Sequence, residues 1–332
     1  MGVPPGRSSW AVVVSLAACH DVAPPAYLGL PERREAGPEI LDLVTEYGLT
    51  ALRDRLGAAI FERVAGEEGP SRRDRIAHAP GPRWFAADRP IRRVNGDASM
   101  FVGGVRALLL QSLHPLAMAA VAGHSGYRGD PWGRLQRTSH FLAVTSFGSA
   151  ADAEEMVAKV RAIHERVRGT TADGRAYAAS DPHLLRWVHL AEVDSFLAAH
   201  QRYGVEPLDA DGRDGYIQDT GRVAQALGVI DPPQNEAELR DQLDSYRPEL
   251  EGTPQARAAA RFVLLRPPVP LALRPAYGVL AAASVSLLPV WTRRPLRLPY
   301  LPITEAVVVR SAGGLLTRSI RWAMTAPAPA TG

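Results

Sequence analysis

A mostly α-helical fold is what this sequence predicts, and three observations predict it. Apolar residues recur every three or four positions along most of the chain from Glu39 to about Leu250, the spacing that lines up one face of a helix. Several of these segments open on a capping side chain followed by proline, as in Asp130-Pro131 and Asp181-Pro182, where proline suits the first helical position. No stretch alternates apolar and polar residues strictly enough to demand a sheet.

Residues 1–38 read as an N-terminal extension. Its apolar run from Trp10 ends in Leu16-Ala17-Ala18-Cys19, which resembles a bacterial lipoprotein cleavage box, yet Arg7 is the only charged side chain before it. The chain reads as cytoplasmic, with processing at Cys19 as the alternative. Ile40, Leu43, Val44, Leu52, Leu56, Ile60 and Val64 then predict helix over Glu39–Val64, with a break at Gly48. The Gly-, Pro- and Arg-rich stretch from Gly66 to Arg83 predicts a loop.

A denser block follows. Ser99–Leu113 is apolar and small enough to be a buried helix, and Pro115 opens the next, which ends near Gly123. Asp130-Pro131 opens a helix to about Phe147. Ser149-Ala150-Ala151-Asp152 is close to a capping box, ahead of a helix that runs through Val167 to Gly169, and Asp181-Pro182 opens one to about Tyr203. Pro275–Trp291 carries no charge but falls short of the ~20 residues a membrane span needs. It predicts a buried helix, or one resting on a membrane surface between Arg274 and Arg293-Arg294. One helical domain over 39–322 and a disordered tail over 323–332 complete the organisation.

With 332 residues, 46% of them hydrophobic and 22% charged, the chain can bury a sizeable core. The 38 Lys and Arg against 35 Asp and Glu leave a net charge of +3, and Lys159 is the only lysine, so the phosphate-tracking stripes of a nucleic-acid binder are absent. Cys19 is the single cysteine, which excludes an intrachain disulfide, a cysteine-based zinc site and an iron–sulfur cluster.

Six of the nine histidines (His114, His124, His140, His164, His183 and His189) fall close together in the chain. None makes the His-Glu-x-x-His zinc spacing, and neither a nucleophile elbow nor a phosphate loop occurs. His164 lies four residues after Val160 and three before Val167, on the apolar face of its helix. An imidazole there must be neutral and hydrogen-bonded, or bound to a metal. Arg134, Arg137 and Thr138 stand at i, i+3 and i+4 beside Phe141 and Thr145, reading either as a solvated stripe or as two guanidinium groups and a hydroxyl turned into a site.

These motifs occur in a fixed order: Arg106-Ala-Leu-Leu-Leu-Gln-Ser-Leu-His114-Pro115, His124-Ser125, Asp130-Pro131-Trp132-Gly133-Arg134-Leu135-Gln136-Arg137-Thr138, Phe147-Gly148, His164-Glu-Arg-Val-Arg-Gly169, Tyr177-Ala-Ala-Ser-Asp181-Pro182 and Trp187-Val188-His189. Together they resemble the MpaB and rubber-oxygenase catalytic-domain family, which includes the latex-clearing proteins. The likeness is dense over 88–203 and looser toward the C-terminus. It implies a globin-like helical core that holds haem b, with dioxygen and a hydrophobic, isoprenoid-like small molecule as reactants and oxidative cleavage of a carbon–carbon double bond as the reaction.

By position, the resemblance makes His164 the proximal ligand of the haem iron and puts Arg106, His124 and His189 with it among the cofactor-binding residues. Arg134, Arg137 and Thr138 become the distal catalytic group. Arg137 stands where rubber-cleaving members carry a lysine that can take the sixth haem position. A guanidinium keeps its proton and has no lone pair for iron, so a closed His–Lys haem is impossible here and rubber itself is a doubtful substrate. Two other readings stay open: non-haem iron held by His114, His124, His164 and a carboxylate such as Glu154, Glu155 or Asp130, and a helical protein that binds haem or a hydrophobic ligand without turnover.

Overall fold

The computed structural model describes residues 38–124 and 130–325, apart from the side chains of 38–47 and of His124. The Cys19 box, the Ser125 end of the family motifs and the tail from 326 onward lie outside the described residues.

Helices dominate, as the periodicity predicts. In chain order they are α1 (Pro38–Ala65), α2 (Gly69–His78), α3 (Pro90–Asn95), α4 (Met100–Gln111), α5 (Pro115–His124), α6 (Pro131–Phe147), α7 (Ala150–His164), α8 (Pro182–Tyr203), α9 (Ala210–Leu227), α10 (Glu236–Ser245), α11 (Pro254–Leu265), α12 (Arg274–Ser286), α13 (Val290–Leu296), α14 (Pro302–Thr304) and α15 (Arg310–Met324). The caps read from the sequence are made: Asp130 accepts from the Gly133 amide, Ser149 from that of Asp152 and Asp181 from that of His183.

Four expectations are corrected. α1 runs unbroken through Gly48, because one exposed glycine costs only about 1 kcal/mol in a helix that long. α2 occupies the predicted loop; it buries only Gly69 and Ile76 and so leaves no apolar stripe in the sequence. α7 stops at His164 rather than continuing through Val167, since Val167 turns into a small cluster with Ala120 and Ala179. Ala323 and Met324, read as tail, form the end of α15, with Ala323 buried.

A short antiparallel ribbon joins α7 to α8, β1 (Arg168–Thr170) pairing with β2 (Ala176–Ala178) so that Gly169 faces Tyr177. Strands of three residues are too short to show alternation. Between them Gly174 takes a φ of +88°, a conformation glycine adopts without strain.

The centre of the molecule is α4 packed along α8. Gly103 permits the approach: a Cβ there would lie 2.6 Å from the Phe196 ring and 3.1 Å from the Phe196 Cα. Met100, Leu109 and Leu110 of α4 and Trp187, Leu190 and Phe196 of α8 are almost wholly buried. The uncharged C-terminal stretch breaks into two helices inclined at 119°, partly buried, and among the described residues no single helix is long and apolar enough to cross a membrane.

Candidate active site

A cavity of about 1080 Å³ opens inside the helical assembly, walled by α1, α4, α6, α7, α8 and α9, with further contributions from α11, α12 and α15. It matches or exceeds the usual 300–1,000 Å³ of small-molecule sites. Apolar atoms make most of its surface, and polar side chains project among them.

α7 delivers His164. Ala153 and Val157 bury one side of that helix, while Met156, Val160, Ile163 and His164 reach the cavity. Burial alone pushes the imidazole down to about 4, so the ring is neutral at physiological pH and keeps a lone pair on one nitrogen.

α6 delivers the arginine–threonine group, and the structure separates its members. Arg134 and Thr138 are buried on the cavity wall, with the Thr138 hydroxyl donating to the Arg134 carbonyl at 3.2 Å. Arg137 borders the same cavity, but its side chain is 42% exposed and pairs with the Asp130 carboxylate at 3.3 Å. Neither single reading of this stripe is right: one guanidinium is inside and the other lies at the solvent margin.

α8 adds His189 and, one turn later, Glu192. Protein surrounds both side chains, and what remains accessible faces the cavity. Desolvation pushes His189 down to about 4 and Glu192 up to about 8, so each favours its uncharged form. Nε2 of His189 has no hydrogen-bond partner. Tyr216 of α9 also reaches this wall with its hydroxyl unpartnered, and burial, then the Glu192 charge, raises it well above its usual range.

Comparison with known proteins gives this arrangement a family. The model of the ER-bound oxygenase mpaB/B′/rubber oxygenase catalytic domain matches residues 92–322, from α3 through most of α15. The chain belongs to this family of oxygenase catalytic domains. Proteins of Mycobacterium bovis and Mycobacterium tuberculosis, both named only as uncharacterised, are each 32% identical over 100 residues. That stretch covers 30% of this chain and 38% of each relative. No solved structure matches.

Within this MpaB-type domain, four of the sequence-predicted residues and Arg137 at its margin line one cavity: His164, Arg134, Thr138 and His189 are the inner four. His124 ends α5, and its side chain lies outside the described residues. Arg106 stands apart from the inner four. Its guanidinium is buried away from the cavity, donating to Asp194 at 2.6 Å, to the Ser195 hydroxyl at 2.7 Å and to the Leu287 carbonyl at 2.9 Å. Its charge cross-links α4, α8 and the end of α12, away from the cavity lining.

Among the described residues the non-haem iron set is not brought together. Glu154 and Glu155 are exposed on α7, Asp130 caps α6, and His114 meets Glu249 and His183 instead of His164. Glu192 and Tyr216 are two cavity residues that the sequence does not single out. Glu192 had a local signal, a carboxylate three residues after His189 inside an apolar helical run; Tyr216 comes from a separate helix and had none.

Proposed function

We propose that this domain is a haem-dependent oxygenase that oxidises or cleaves a carbon–carbon double bond in a hydrophobic, isoprenoid-like molecule. The observation that carries the reading is His164, an imidazole kept neutral by burial on the wall of a large apolar cavity that also holds the buried cation Arg134. The donor set fits the group. His164 would supply the proximal nitrogen, and Arg134 would neutralise a propionate or stabilise negative charge as it develops during the reaction. When bound, haem supplies the chemistry of dioxygen activation.

The remaining work falls to the chain. The aliphatic wall takes a hydrocarbon out of water at roughly 25 cal/mol per Å² of apolar surface and keeps water from the reacting carbon atoms. Glu192, mostly neutral at pH 7, holds a proton on its carboxyl oxygen within that dry space, and the Thr138 hydroxyl spends its proton on the Arg134 carbonyl. The globin-like arrangement implied by the family resemblance is part of this proposal.

An absorbance spectrum of the purified protein, with pyridine haemochrome analysis, tests it. A Soret band that is lost in His164→Ala, together with oxygen uptake in the presence of hydrophobic alkenes, supports the reading. A colourless protein that haemin does not reconstitute overturns it. Haem retention without oxygen uptake on any alkene leaves a binding protein in its place.

A further inference from the structure

His114, His183 and Glu249 bring one ligand atom each to within 4.8 Å of one another, and none of them lines the cavity. We propose that these three residues form a second metal site, for a divalent transition ion of the zinc type, on the flank of the domain. This stands apart from the haem reading and survives its failure.

The three come from distant parts of the chain: His114 from the turn between α4 and α5, His183 from the first turn of α8, and Glu249 from the 3-10 turn Arg247–Glu249 that follows α10. Backbone contacts hold them in place. The Glu251 amide donates to the Leu113 carbonyl at 2.8 Å, and Asp181 fixes the His183 amide at 2.9 Å.

Two observations point to a cation among them. The first is His114, only 2% exposed, whose ring nitrogens both lack a hydrogen-bond partner while Nε2 stands 3.4 Å from the Glu249 carboxylate. A buried imidazole is seldom left that way.

The second is the position of His183. The Tyr246 hydroxyl donates to the His183 carbonyl at 2.8 Å and stands 3.3 Å from His183 Nδ1, on the far side of the ring from Glu249. Nε2 of His183 faces both Glu249 oxygens at 3.0 and 2.9 Å, a gap that a proton on Nε2 or a metal ion fills. A metal engages the unpartnered His114 nitrogen as well.

The dimensions suit zinc. Bonds of about 2.0–2.1 Å in a tetrahedron put neighbouring ligand atoms about 3.3 Å apart, close to the 3.4 and 2.9 Å of the two edges that Glu249 makes, while all three atoms lie within 4.8 Å of one another. Tyr246 stacks on His183 at 4.6 Å and bonds its far nitrogen, the outer support that orients a ligating histidine. With His183 49% and Glu249 44% exposed, the fourth position opens to water. Two imidazoles and a carboxylate favour a late first-row ion over magnesium or calcium.

The test is zinc binding by the full-length protein, stripped with chelator, equilibrated with micromolar Zn²⁺ and measured by calorimetry and elemental analysis. One zinc per chain is expected, retained in His164→Ala and lost in His183→Ala and Glu249→Gln, whose exposed positions leave the fold intact. Tyr246→Phe keeps the ligands and is expected to weaken binding about 10–100-fold. Absence of stoichiometric zinc, or zinc that persists in both His183→Ala and Glu249→Gln, overturns the site. So does zinc that disappears in His164→Ala, since that ion sits in the cavity.

Discussion

The guanidinium of Arg137 lies 3.3 Å from the carboxylate of Asp130, the residue that caps the same helix. One Asp130 oxygen accepts from the Gly133 amide and the other holds Arg137. This pairing draws Arg137 to the margin of the cavity, while Arg134, one turn earlier, stays buried. Arg137 is thus a side chain that has no lone pair for iron and an ionic partner outside the cavity.

In haem-loaded protein, Arg137→Lys is expected to move the spectrum toward a low-spin, six-coordinate form as pH rises, because a partly desolvated lysine can lose its proton and an arginine cannot. Asp130 favours the charged lysine, so the double variant with Asp130→Asn is expected to shift at lower pH. Spectra of both variants that stay unchanged across pH remove residue 137 from the distal side.

Glu192 gives the fold a pH dependence of known sign. Its carboxyl titrates near 4.5 when unfolded and near 8 when folded. Below about 4.5 both states are protonated and nothing is lost; as pH rises toward 8 only the unfolded state ionises, and the fold is progressively destabilised. Glu192→Gln is therefore expected to stabilise the protein without bound ligand by roughly 2–4 kcal/mol at pH 8 and by little at pH 4.5. Urea denaturation at the two pH values measures this, and an equal effect at both contradicts it.

His189 runs the other way. Its folded value of about 4 against an unfolded 6.5 means that the unfolded state takes up a proton first as pH falls. Stability is expected to decline between pH 6.5 and 4, and His189→Gln to flatten that decline. Thermal midpoints of the two proteins over this range provide the check.

Arg106→Met removes the cation from a buried pair and leaves Asp194 and the Leu287 carbonyl without their donor. About 3 kcal/mol of stability is expected to go, with part of it restored by adding Asp194→Asn. The haem spectrum of the folded fraction stays as in the parent protein; haem loss at unchanged stability would instead return Arg106 to the cofactor.

Gly103→Ala places a methyl group against Phe196 where α4 meets α8. The two helices have to separate, at a cost of roughly 1–3 kcal/mol in chemical denaturation. A variant as stable as the parent shows that α8 gives way without strain.

What the sequence determined by itself is local. Apolar spacing and Asp-Pro or Ser caps act within one or two turns, so the helices from Met100 to Tyr203 and the cavity-facing side of α7 were legible, His164 included. The tertiary structure decided what depends on partners remote in sequence. Arg134 and Arg137 share a helical face, and only the placement of α6 makes one buried and the other half-exposed. Arg106 pairs with Asp194, 88 residues away, a partner that no local spacing announces. Glu192 becomes a proton-holding group only because surrounding helices strip its water, and His114 finds Glu249 only because the fold closes a separation of 135 positions. Desolvation and long-range pairing are properties of a packed assembly, and no window of sequence contains them.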